Sequence, residues 1–165
     1  MKLQTSLGLD TALRIVSLAL AAGRAEKMLP LTVVVLDVSG KIIASHSEDG
    51  SGLMRFDIAR GKAWGALGMG MSSRLIHDRL ATRPSFQAAL ATVADGQFVP
   101  VPGGVLVLRS GETVIGSVGV SGDTSEKDEY CAIVGIQGAK LQSEPKIPDE
   151  NWRGSSLSGR VGKTI

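Results

Sequence analysis

The chain has little of several things that usually announce a function. Cysteine occurs once in 165 residues, at Cys131, so neither an internal disulfide nor a cysteine-based zinc cage can form. Aromatic residues make up 4%, which leaves Ala, Val, Leu and Ile to build the core. It also removes the aromatic-interleaved basic stripe common in nucleic-acid-binding proteins. Neither sign of charge dominates: 18 basic against 16 acidic residues give +2, and nucleic acid is not expected as a partner. Basic residues gather only near the C-terminus, at Arg153, Arg160 and Lys163, as in a solvated tail. No apolar run approaches the ~20 residues of a membrane span. The stretch "IVSLALAAG" (Ile15–Gly23) has Asp10 and Arg14 before it and Arg24, Glu26 and Lys27 after it, which fits an amphipathic helix better than a signal peptide. The expectation is a soluble, cytoplasmic protein with no membrane partner.

Several catalytic and nucleotide motifs are missing in detail. Gly61-Lys62 would need Gly at position 56 and Ser or Thr at 63 to make a P-loop, but the chain has Phe56 and Ala63. Gly68-x-Gly70 follows no strand and is followed by Ser73, so the dinucleotide fingerprint fails. Ser121 lies between Val120 and Gly122, but Asp123 stands where the hydrolase elbow needs Gly. Cys131 sits in the apolar run "YCAIV" and reads as a small core residue. The histidines are His46 and His77. His77, beside Asp78, reads as a surface residue. His46, near a strand end, has the chemistry of an axial haem ligand. Glu48 and Asp49 could hold a hard cation, although adjacent carboxylates in a turn are commonly only a loop.

Present in quantity are apolar residues, at 43%, and 21 glycines, above the average share of about 7% for glycine. The spacing predicts a first helix over Leu9–Met28, with Leu13, Val16, Leu20 and Ala21 inward. A strand within Leu31–Gly40 and another within Lys41–Ser47 make a hairpin. Helices are predicted over Leu53–Met71, Ser72–Ala81 and Pro84–Val93. Asp95–Gly104 reads as a shaped loop. Val105–Val120 is a second hairpin turning at Arg109–Gly111, and Asp123–Leu141 is the last helix, with Asp123 and Glu126 resembling a capping box. From Gln142 the chain is polar and lacks core periodicity. The expected organisation is one domain over residues 1–143 and an extension or arm over 144–165, with Trp152 able to anchor it on a neighbouring subunit. The fold class is α+β: an antiparallel sheet of about five strands, with helices packed largely on one face.

The segment "VIGSVGVSGDTSEKDEYCA" (Val114–Ala132) passes from strand to helix through Gly116, Gly119, Ser121 and Gly122. So many small residues imply close backbone packing, ligand approach, or both. A helix N-terminus with glycines is suited to anions, so a carboxylate or porphyrin propionate could dock there unless Asp123 and Glu126 already occupy its donors.

The combination of "VVVLDVSGKIIA" (Val33–Ala44), Asp49-Gly50, "ARGKAWGAL" (Ala59–Leu67), "PGGVLVL" (Pro102–Leu108) and "VIGSVGVSG" with Asp128 resembles the GlcG/HbpS-type haem-binding family. That family is related to the C-terminal domain of PduO-type, corrinoid adenosyltransferase-related proteins. The resemblance covers about residues 9–141. It implies a profilin-like α/β sandwich, self-association into a homo-oligomer, and a ligand that is haem, another tetrapyrrole or a corrinoid. Many relatives carry Arg-Met-Asp-Gly after strand two; here Ser47 and Glu48 precede Asp49 and Gly50. The candidate ligand-binding residues are His46, as haem-iron ligand, Asp49, Lys62, as carboxylate partner, Gly103, Gly104, Gly119, Ser121 and Gly122. The competing reading is a cofactor-independent enzyme acting on a small carboxylate or carbonyl metabolite, with Lys62, Ser121, Asp128 and Glu129 as its acid–base candidates. A third is a structural subunit without a ligand.

Overall fold

A computed structural model describes Met1 and residues 4–157 of the chain; Arg160 and Lys163 of the basic tail lie outside the described residues. Helix α1 (Leu9–Ala25) is followed by strands β1 (Thr32–Asp37) and β2 (Ile42–Ser47). Helices α2 (Arg55–Met69), α3 (Ser73–Leu80) and α4 (Pro84–Val93) come next, then β3 (Gly104–Leu108), β4 (Val114–Ser121), α5 (Ser125–Gly138) and β5 (Gln142–Glu144). A single 3-10 turn, Trp152–Gly154, closes the described chain. The sheet runs β2-β1-β4-β3-β5 with every neighbouring pair antiparallel. The α+β architecture is that predicted.

Helices cover both faces of the sheet, not one. Val33, Val35, Val105, Val107, Val118 and Val120 join α1 and α5 in the main core, while Val34 and Leu36 point the other way, onto Ala59 and Ala63 of α2. The run "TVVVL" is therefore buried on both faces, as in a central strand. The inward stripe of α1 also differs from the predicted one: Ala12, Ile15, Val16, Ala19 and Ala22 are buried, and Leu13 is exposed. The cause is close approach to α5, where a Cβ on Gly135 would stand 2.7 Å from the Ile15 carbonyl oxygen and 3.0 Å from the Ala19 Cβ. Alanines fit that contact and a leucine does not.

The fifth strand comes from the polar tail. Ser143 pairs with Val107 and Glu144 with Leu106, so the boundary expected at residue 143 falls inside β5. Beyond it, Trp152 folds back on its own chain, only 8% exposed, and stacks on Tyr130 of α5 with ring centroids 3.7 Å apart. Arg153 forms an ion pair with Glu26 at 2.8 Å. Backbone pairing and one aromatic stack hold this segment, and neither produces a hydrophobic period in the sequence. The N-cap of α5 is Thr124, whose side chain accepts from Lys127 N–H. Asp123 instead accepts from Leu29 N–H at 3.0 Å and Thr124 N–H at 2.8 Å, so its carboxylate ties the α1–β1 loop to the helix start.

Candidate functional site

The candidate residues gather at one end of the sheet, where β1 and β3 begin and β2 and β4 finish. Gly104 pairs with Gly119, and Thr32 pairs with both Ser121 and Ser47. These positions face α2. A Cβ on Gly119 would meet the Ala59 carbonyl oxygen at 1.8 Å, and one on Gly104 the Lys62 carbonyl oxygen at 2.2 Å. The glycines thus admit the α2 backbone directly onto β3 and β4, which is the packing half of what the glycine-rich segment implied. Gly122 serves a similar end, since a Cβ there would lie 2.4 Å from the Pro30 carbonyl oxygen.

That approach carries Lys62 into the protein. Its ammonium donates to Asp128 Oδ2 at 2.8 Å and to the Val120 carbonyl at 3.1 Å, and the two side chains are 2% and 1% exposed. Gly103 packs against the pair, with positive φ (117°) and room for no side chain: a Cβ would stand 2.9 Å from Lys62 Nζ. Asp128 Oδ1 also accepts from Asp123 N–H at 3.1 Å. Burial pushes the Asp128 carboxyl upward, and Lys62, the Asp123 backbone and Arg55 oppose it. Lys62 is therefore committed to an internal partner, unlike the open carboxylate-binding group expected from the sequence.

Arg55, the first residue of α2, was not singled out in the sequence. Its guanidinium donates to Ser121 Oγ at 3.3 Å and acts on Asp128. Thr32 Oγ1 lies alongside, bonded to Ser47 Oγ at 2.9 Å and Ser51 Oγ at 2.8 Å. Lys127 and Asp123 form a neighbouring pair at 3.4 Å. Among the described residues, Lys62 pairs with Asp128 and Lys127 with Asp123, whereas the Arg55 guanidinium has a hydroxyl and no carboxylate as its hydrogen-bond partner. Lys62 is buried, and Arg55 is the cation of this group beside an exposed apolar pair, Leu53 at 95% and Met54 at 69%. The only trace of this in the sequence is an arginine directly after "LM" at a helix start. Ser73 was missed as well: its hydroxyl accepts from Gly104 N–H at 2.7 Å and donates to Gly104 C=O at 3.2 Å, a contact spanning 31 residues that no local pattern encodes.

His46 and Asp49 are at the same end of the sheet. His46 is exposed on the edge strand β2, opposite Val33, hence on the α1 face and not on the α2 face with Lys62, Gly104 and Gly119. Asp49 is exposed in the loop after β2. Glu48 is taken up by Arg24 Nε at 2.7 Å and by Leu31 N–H at 2.8 Å. His77 is exposed beside Asp78 at 3.3 Å. Cys131 is fully buried, its thiol pushed up by burial and placed 3.5 Å from Met28 Sδ. Glu129, one residue after Asp128, is directed away from the Lys62 cluster toward Arg74 of α3, with Nε 3.3 Å from Oε2.

The chain matches the model of the family described as haem degrading protein HbpS-like over residues 7–137. Its fold is shared with the crystal structure of a PduOC:heme complex, at TM-score 0.75 and 22% identity over 84% of this chain and 98% of that one. It is also shared with a double mutant of HbpS from Streptomyces reticuli, at TM-score 0.70 and 25% identity over 84% and 90% of the two chains. Protein ORFY of Klebsiella pneumoniae superposes at TM-score 0.72 with 24% identity over 85% and 94%. No curated protein matches. The family match spans the hairpin, α2, the Gly103-Gly104 turn and the Gly119–Asp128 passage that together build the Lys62–Asp128 cluster, and on that match the chain belongs to the HbpS-like family.

Proposed function

We propose that this protein binds haem or a related tetrapyrrole or corrinoid without transforming it, as a cytoplasmic homo-oligomer. The observation that carries the reading is the Arg55 guanidinium, bonded to a hydroxyl and to no carboxylate among the described residues, beside the exposed Leu53 and Met54. An amphipathic ligand with a carboxylate and a flat apolar body has the matching chemistry: the guanidinium can take a carboxylate in a bidentate pair, and the apolar side chains can cover the ring. Arg55 thus takes the role that the sequence suggested for Lys62. Gly119, Ser121 and Gly122 shape the backbone beneath it, and Gly103 and Gly104 hold the Lys62–Asp128 pair behind it. His46 and Asp49 stand at the same end of the sheet, with His46 as the iron ligand.

Two features favour binding at a surface shared between copies. The apolar recess beneath α4, lined by Trp64, Met69, Leu90, Val93 and Phe98, has a volume of about 120 Å³, against roughly 300–1,000 Å³ for pockets that enclose a drug-sized ligand. Helix α4 buries none of its residues and leaves Phe86 40% and Val93 84% exposed, an apolar surface of the kind found at contacts between subunits. The enzyme alternative needs a reactive atom open to substrate, whereas Lys62, Ser121, Asp128 and Glu129 are each buried. The relevant experiment is a haem titration of the wild type, His46→Ala and Arg55→Ala, followed at the Soret band. Saturable binding is expected in the wild type, with about tenfold weaker binding for Arg55→Ala and an altered spectrum for His46→Ala. Three identical titrations would remove both residues from the site.

A further inference from the structure

Glu129 is the buried ionisable group that the binding reading leaves unused. Its side chain is fully buried, and the Arg74 guanidinium, 3.3 Å from Oε2, pairs with it by charge without meeting hydrogen-bond geometry. The charged groups acting on it come from three elements. Arg74 of α3 stands 3.3 Å away; Glu144 of β5 and Asp149 of the following segment add two carboxylates on the same side. At Glu129, one guanidinium is therefore set against the repulsion of two other carboxylates. Glu144 is itself engaged, accepting from Ser72 N–H at 2.8 Å and from the Ser72 hydroxyl at 3.3 Å.

Both of those carboxylates belong to the C-terminal strap, residues 142–155, which is fastened by side-chain contacts spread along its length, among them Gln137 to Ser143 Oγ at 3.0 Å and the Arg153–Glu26 pair. Besides the short β3–β5 ladder, Arg74 donates to the Ile147 carbonyl at 2.9 Å and Gln137 to the Lys146 carbonyl at 2.6 Å. Trp152 stacks on Tyr130, and Ser155 bonds Thr124. A fully buried carboxylate with one cation beside it is costly when ionised, and the strap supplies repulsion through Glu144 and Asp149.

We propose that residues 142–155 form a proton-linked strap over α5 and the β3 edge, held closed while Glu129 is neutral and loosened when it ionises against Glu144 and Asp149. Loosening unpairs Leu106–Leu108 of β3 from β5 and opens a sheet edge.

The sign follows from burial. With the strap closed, burial pushes the Glu129 carboxyl from 4.5 up to about 7; Arg74 and the Asp149 backbone oppose the shift, and the Asp149 and Glu144 carboxylates reinforce it. With the strap open the carboxyl meets water and returns toward its ordinary value. Closing takes up a proton between those limits, so this contribution to closure is complete below about pH 4.5, weakens as pH rises and is gone above about pH 7.

Hydrogen exchange with mass-spectrometric readout tests this on the full chain. Protection of amides in 142–155, corrected for intrinsic exchange, is measured from pH 5 to pH 8. In the wild type it is expected to fall at least about tenfold while that of α1 and β1 holds. In Glu129→Gln, which cannot ionise, the fall is expected to vanish. Arg74→Gln supplies an independent arm if that variant does not fold. Loss of the opposing cation weakens the strap generally but moves the midpoint of its pH dependence upward. Protection that is independent of pH in the wild type overturns the proposal. So does an equal fall in Glu129→Gln, or an unmoved midpoint in Arg74→Gln.

Discussion

Lys62 shows how a side chain can be placed by its neighbours' lack of side chains. Its ammonium reaches Asp128 because Gly103 and Gly104 leave the space and because α2 lies directly on β3 and β4. The pair is a positioning device at the head of α5, and its removal should read as stability before it reads as binding. Breaking a buried ion pair on one side strands a charge and costs about 3–5 kcal/mol, whereas replacing both partners by apolar groups is often neutral. Lys62→Met is therefore expected to lower the unfolding free energy by about 3–5 kcal/mol in urea melts. Lys62→Met combined with Asp128→Leu should recover most of that loss. If the single variant is as stable as the wild type, the pair does not organise this end of the sheet. Sequence reading located both residues but not their pairing with each other. An ammonium 66 residues away in the chain leaves no local pattern beside the carboxylate it satisfies.

At the scale of elements, both hairpins and all five helices were legible from period and turn chemistry, α4 through Pro84 at its start because it buries no residue. What stayed hidden depends on contacts distant in sequence. The α1 stripe was displaced because α5 approaches it over Gly135. β5 has three residues of polar sequence, held by an edge ladder rather than by an apolar face. The placement of α2 across β4 requires glycine at the contact, and it makes a sharp demand. In Gly119→Ala a methyl would sit 1.8 Å from the Ala59 carbonyl oxygen, backbone that cannot swing aside like a side chain. Overpacking of this kind costs about 1–3 kcal/mol and occasionally more, and the upper part of that range or beyond is expected from thermal melts. Gly116→Ala, directed at the Leu36 carbonyl oxygen at 2.3 Å, should behave alike. A wild-type melting temperature in Gly119→Ala would mean that α2 does not rest on β4 as described.

The whole molecule is a sheet with α1 and α5 on one face and α2 on the other, and its candidate residues fall at one end of that sheet. The Arg55 edge, the exposed His46 and the exposed apolar side of α4 are separate surfaces of one chain. The family was legible from motifs spread over the chain. The use of each residue was not, because facing across the sheet, and so the separation of His46 from Lys62, is set by strand register. The central claim is that this protein holds a tetrapyrrole-type ligand as an assembly of identical chains. Native mass spectrometry of the purified protein with and without added haem tests it most directly, since one spectrum reports subunit number and retained ligand together. The account expects a homo-oligomer that retains haem in a fixed ratio to its subunits, with a lower ratio in Arg55→Ala. A monomer that gains no haem mass under the same conditions would contradict it.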